Sequence, residues 1–96
     1  FILFARNVAE PAQVRELNRE LASLLPAEIP PILSVDQEGG RVQRVRAPAT
    51  VWPAMRAVAQ AAQELGAERG GALIAAVATS MARELRAMGF NLDFAP

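Results

Sequence analysis

The densest concentration of groups able to do chemistry is the run Asp36-Gln37-Glu38-Gly39-Gly40-Arg41-Val42-Gln43-Arg44. Asp36 directly follows the mainly apolar stretch Ile32-Leu33-Ser34-Val35. A carboxylate therefore stands at the end of an apparent buried strand, held by rigid backbone as a recognition group should be. Ionised Asp accepts at two oxygens and can take hydrogen bonds from two neighbouring sugar hydroxyls. Gly39 and Gly40 permit backbone turns closed to other residues. Arg41 and Arg44 can fold back as planar donors, toward ligand oxygens or toward Glu38. A plainer reading stands beside this one: Asp after a strand is a frequent turn former, and Glu38 with Arg41 can be a loop-stapling ion pair. A phosphate cradle at Gly-Gly-Arg would need a helix starting at the glycines, and none is evident. Trp52, beside Pro53, offers either a sugar-stacking platform or loop packing. Asp93 alternates with Leu92 and Phe94 and reads as a strand or interface polar group rather than a catalyst.

Composition removes several classes of chemistry. The 96 residues contain no Cys, no His and no Tyr. Disulfide frameworks, thiolate metal sites and the Ser-His type of triad are excluded within them, so acid–base work would fall to Asp or Glu. The ten positive charges are all Arg and balance ten Asp and Glu, and nothing in that balance points to nucleic acid or an anionic membrane. An apolar fraction of 52% with 21% charged residues is that of an ordinary globular protein. No run approaches the roughly 18 apolar residues that cross a bilayer. The chain opens on Phe1-Ile2-Leu3-Phe4 and closes on Phe94-Ala95-Pro96, and both ends read as cut.

The elements that must position these groups follow from periodicity. Phe1 to Phe4 is a continuous apolar run, the pattern of a buried parallel strand. Pro11 suits a first helical turn, and Val14, Leu17, Leu21, Leu24 and Leu25 then recur at helical spacing until Pro26. Arg15, Glu16, Arg19 and Glu20 can pair at i, i+4 on the opposite side. Pro30-Pro31 enforces an extended entry to the strand 32–35, and residues 37–52 read as a long irregular loop. A short helix is predicted over 57–65. Gly70-Gly71 weaken any helical start there, and Ile74, Val77, Ala78, Met81, Leu85 and Met88 form a second apolar stripe with Met81 and Met88 as core. Gly89 is placed for a left-handed helix end, and 90–94 reads as a third strand. Strand, helix, strand, loop, helix, strand is the order of βαβ units around a parallel sheet, which makes the fold class α/β.

Three segments, Ile2-Leu3-Phe4-Ala5-Arg6-Asn7, Val35 through Arg44, and Asp93-Phe94-Ala95-Pro96, together resemble the N-terminal domain of glycoside hydrolase family 3. Within that family the likeness is to the bacterial β-N-acetylglucosaminidase (β-hexosaminidase) branch, and the segment 36–44 is its most specific part. The resemblance implies that residues 1–96 are a fragment of a (β/α)₈ barrel, about strands two to four, since a whole barrel needs about 250 residues. It implies that Asp36 and Arg44 bind the substrate sugar, with Arg6, Glu38, Gly39, Gly40 and Arg41 organising the loop. The implied activity is retaining hydrolysis of terminal β-linked N-acetylglucosamine, from a muropeptide or related saccharide, in cytoplasmic peptidoglycan recycling without cofactor or metal. The family's nucleophile is an Asp near the end of the barrel and this branch's acid–base group a His–Asp pair on a mobile loop. No catalytic residue is therefore expected within these 96, and the remainder of the barrel is the implied partner.

Two other readings remain open: a β-glucosidase-type member of the same family, or a non-catalytic carbohydrate-binding α/β module. A Lys-His pair followed by a His-containing loop beyond Pro96 would favour the acetylglucosaminidase. Three strands alone would leave two open edges, and the isolated segment is expected to associate with itself or rearrange.

Overall fold

The computed structural model describes residues 1–96. Strands β1 (Ile2–Leu3), β2 (Ser34–Val35) and β5 (Leu92–Asp93) form a parallel sheet in the order β1-β2-β5. Ile2 pairs with Ser34 and Ser34 with Leu92, while Leu3 pairs with Val35 and Val35 with Asp93. The expected strands are therefore present, with their regular pairing shorter than the apolar runs that announce them. Side chains fasten the ends of the ladder. Asn91 Oδ1 accepts the Leu33 N–H at 2.9 Å, its Nδ2 donates to Pro31 O at 2.7 Å, and the Ser34 hydroxyl donates to Phe1 O at 2.9 Å.

Helix α1 (Pro11–Ser23) has Pro at its first position as expected. It stops short of Leu24, which lies at the helix end and is 70% exposed rather than part of the buried stripe. The ion pair on its outer side joins Glu16 to Arg19, at i, i+3 rather than i, i+4. Asn18 takes an inward position instead: it is buried, and its Nδ2 donates to Met88 O at 2.9 Å, satisfying a carbonyl at the end of the next long helix.

Two helices follow, α2 (Met55–Leu65) and α3 (Ala67–Ala87), hinged at Gly66. Contrary to expectation, α3 runs straight through Gly70 and Gly71. The reason is the neighbouring helix: a Cβ at Gly70 would lie 2.2 Å from Ala62 O, so only glycine permits this approach of α2 and α3. The helix ends as its sequence suggests. Gly89 adopts φ +89°, with its N–H on Arg86 O and the Phe90 N–H on Leu85 O, the two bonds of a Schellman motif.

Leu3, Val14, Val35, Val45, Met81, Leu85, Met88 and Phe90 form one core between the sheet and the helices α1 and α3. Met81 and Met88 are buried in it as expected, but Ile74 is exposed. A 21-residue helix is about 31 Å long, and only its last turns lie over so narrow a sheet. Side chains alternate across strands. The opposite sheet face thus carries Ile2 and Leu92, both exposed, with Ile32 just ahead of β2 at 62% exposure. That uncovered apolar face and the two free sheet edges predict that residues 1–96, expressed alone, elute in size-exclusion chromatography as oligomers or aggregate. A monodisperse monomer with one cooperative melting transition would overturn this.

Candidate functional site

Parallel pairing brings the ends of all three strands to one edge of the sheet. β1 runs into a single 3₁₀ turn at Ala5–Asn7, held by the Phe4 N–H on Asn7 Oδ1 at 3.0 Å. β2 runs into Asp36, and β5 into Phe94. Here Arg44 Nη2 donates to Asp36 Oδ2 at 2.7 Å, a charge-assisted bond between side chains that keep 27% and 22% of their surface exposed. The guanidinium also lies over the Phe4 ring, 5.8 Å from its centre, and Arg6 covers the same ring at 5.0 Å. Arg44 Nε is buried and has no partner. The site thus presents one carboxylate oxygen outside the ion pair beside a guanidinium and an aromatic ring, with the Arg44 Nε–H enclosed beneath them.

The segment expected to be irregular contains an antiparallel hairpin, β3 (Gln37–Gly39) with β4 (Val42–Gln43). Its turn requires glycine twice. Gly39 and Gly40 have φ of +85° and +59°, a Cβ at Gly39 would fall 2.2 Å from Pro53 O, and one at Gly40 would fall 2.9 Å from the Ala54 Cβ. Arg46 Nη2 donates to Gly40 O at 2.7 Å from outside the turn. Glu38 and Arg41 form no ion pair with each other, and neither side chain makes a hydrogen bond within these residues.

The groups that hold the hairpin are two buried amides that composition and charge did not single out. Gln37 Oε1 accepts the backbone N–H groups of Arg44 and Val45, each at 3.0 Å, and its Nε2 donates to Val45 O at 2.8 Å. Gln43 Nε2 donates to Val45 O and Thr50 O, and its Oε1 accepts the Trp52 N–H at 2.9 Å. The following strap is tied to α3 by Glu84, which accepts from Thr50 Oγ1 and from Trp52 Nε1. Trp52 packs against the core, so it serves the loop. In the sequence this network shows only as two glutamines, Gln37 and Gln43, flanking a Gly-Gly pair. Asp93 also takes part, accepting the Gln37 N–H at 2.9 Å on Oδ1. Burial pushes its carboxyl above the usual carboxylate range; the Gln37 N–H opposes that rise, and the negative charges of Asp36 and Glu38 add to it.

A parallel βαβ sheet with its polar groups gathered beyond the strand carboxyl ends is the arrangement of α/β folds that take ligands at that edge. The model of the glycosyl hydrolase family 3 N-terminal domain matches residues 1–96, and the chain belongs to this family. It is 48% identical to a β-hexosaminidase of Pseudomonas aeruginosa and 42% identical to one of Thiobacillus denitrificans, covering 99% of this chain in each case. The chain spans about a quarter of the length of these curated relatives, 26% of each. Among solved structures, native NagZ from Neisseria gonorrhoeae superposes with a TM-score of 0.90 at 37% identity, over 99% of this chain and 27% of that one. A family 3 β-N-acetylglucosaminidase from Paenibacillus gives a TM-score of 0.81 at 41% identity, over 99% of this chain and 17% of that one.

The raised carboxyl of Asp93 has a pH signature. A group whose folded pKa lies above its unfolded value costs nothing below the unfolded pKa, and stability falls as pH rises through the interval to the folded one. Asp93→Asn keeps an oxygen for the Gln37 N–H and removes the charge. In the full-length protein it should raise Tm at about pH 7 and leave Tm nearly unchanged at about pH 3.5. Equal shifts at both pH values would show that charge is not the cause.

Proposed function

We propose that the full-length protein is a retaining glycosidase that removes terminal β-linked N-acetylglucosamine, and that these residues supply part of its sugar-binding floor. The observation that carries the reading is the Asp36–Arg44 pair at the carboxyl edge of the sheet, partly open to solvent. Asp36 Oδ1, which is outside the ion pair, accepts from sugar hydroxyls, while Arg44 fixes the carboxylate plane and directs its remaining donors toward ligand oxygens. The relatives support the choice of sugar. They are β-hexosaminidases, and a NagZ neighbour was crystallised with N-trifluoroacetyl-D-glucosamine. We assign the nucleophile and the acid–base group to the rest of the barrel, since none of the 96 residues is a His and the family resemblance puts the nucleophilic Asp near the barrel's end. We further propose a muropeptide-derived saccharide as substrate, in cytoplasmic peptidoglycan recycling, with no cofactor.

The test uses the full-length protein on two chromogenic substrates, an N-acetylglucosaminide and a glucoside. Turnover of the first with little of the second is expected; preference for the glucoside, or binding without turnover, would sink the proposal. Asp36→Asn should lower kcat/KM about 100-fold, the equivalent of about 3 kcal/mol for charged hydrogen bonds to sugar hydroxyls, with Tm little changed.

A further inference from the structure

We propose that Gln37 is a positioning residue of the sugar site, its buried side-chain amide setting where Arg44 stands relative to Asp36. The inference rests on Asp36 and Arg44 being the sugar-binding pair. Gln37 is 2% exposed and is the sequence neighbour of Asp36. The hairpin ladder cannot place Arg44 by itself, because its pairing ends at Gln37 with Gln43, one residue short. Beyond that rung, Gln37 makes three hydrogen bonds to the backbone of two consecutive residues, Arg44 and Val45, with heavy-atom separations of 3.0, 3.0 and 2.8 Å.

The chemistry suits a primary amide. Two N–H groups require an acceptor, and the Val45 carbonyl, which also accepts from Gln43 Nε2, takes a second donor; one orientation of the Gln37 amide provides both. Glutamate would keep the acceptor and lose the donor; methionine would fill similar space and offer neither. The other end of the residue is fixed as well, its N–H donating to Asp93 Oδ1 at 2.9 Å. A line of bonds therefore runs from β5 through Gln37 to Arg44, and from Arg44 Nη2 back to Asp36 at 2.7 Å. Recognition geometry tolerates only about 0.5 Å of error, so loss of this clamp acts on sugar affinity through Arg44.

A double-mutant cycle on the full-length protein tests this, with an N-acetylglucosaminide as substrate. Gln37→Met should raise KM about tenfold and leave kcat within about threefold, the pattern of lost uniform binding. In an Arg44→Ala background the same change should raise KM less than about twofold, because the residue through which it acts is gone. Gln37→Glu, which keeps the acceptor for the Arg44 N–H, should recover part of the affinity. Equal rises in both backgrounds, or no rise in either, would overturn the assignment and leave Gln37 a purely structural amide. Should Arg44→Ala itself leave KM unchanged, the fault lies with the sugar-site reading on which this one stands. If Gln37→Met does not fold, Asp93→Ala enters the same line from its half-buried end; an Arg44-dependent rise in KM of about threefold supports the assignment and no rise overturns it.

Discussion

A primary amide without access to water must make its hydrogen bonds inside the protein, and an unmet donor or acceptor there costs about 1–3 kcal/mol. Gln37 is in that position, and its requirements shape the carboxyl edge of the sheet. Satisfying them folds residues 44 and 45 back over the strand end, and that return brings a guanidinium to Asp36. The same return carries Val45 into the core beside Val35 and Leu3, so the polar clamp and the apolar packing reinforce each other. Gln43 and Glu84 extend the arrangement outward to the strap 50–52 and to α3. The ion pair is thus the last member of a chain of neutral and backbone bonds, and its geometry is inherited from them.

The two sides of the sheet have different fates. On one, Val14, Met81, Leu85 and Phe90 from the helices and their flanks close over Leu3 and Val35. On the other, Ile2 and Leu92 have no cover within these residues. In a closed barrel that second side faces the interior, where layers of side chains from other strands fill it. Family membership and the bare face therefore agree: the side that carries Ile2 and Leu92 is the one that a closed barrel would fill.

Much of this was legible in the sequence, and the exceptions have physical causes. The strands showed themselves as short runs bounded by breakers, and Pro11 and Gly89 marked helix ends through their backbone preferences. Asp36 and Arg44 are candidates on residue type and motif alone, and the structure brings them within hydrogen-bond distance of each other. The hairpin over 37–43 was not legible, because strand prediction looks for apolar alternation and its inward residues are glutamines, buried through bonds to backbone rather than through hydrophobicity. Ile74 misled in the opposite sense: helical spacing identifies a stripe but not how far along the helix its cover extends. Gly70 counts locally only against a helical start, because its use, the close approach of another helix, lies outside the local sequence.

That glycine has reach beyond its own helix. The carbonyl it accommodates belongs to Ala62 in α2, whose first residue, Met55, is two positions past Pro53. Pro53 in turn presses its carbonyl against Gly39 in the hairpin, and its neighbour Trp52 accepts the Gly40 N–H at 2.9 Å. A methyl group added at position 70 would push α2 bodily away from α3, and the displaced helix would pull on the turn that precedes Arg44. The α2–α3 contact and the carboxyl edge of the sheet are in this sense two arms of one lever, with α2 as the rod between them.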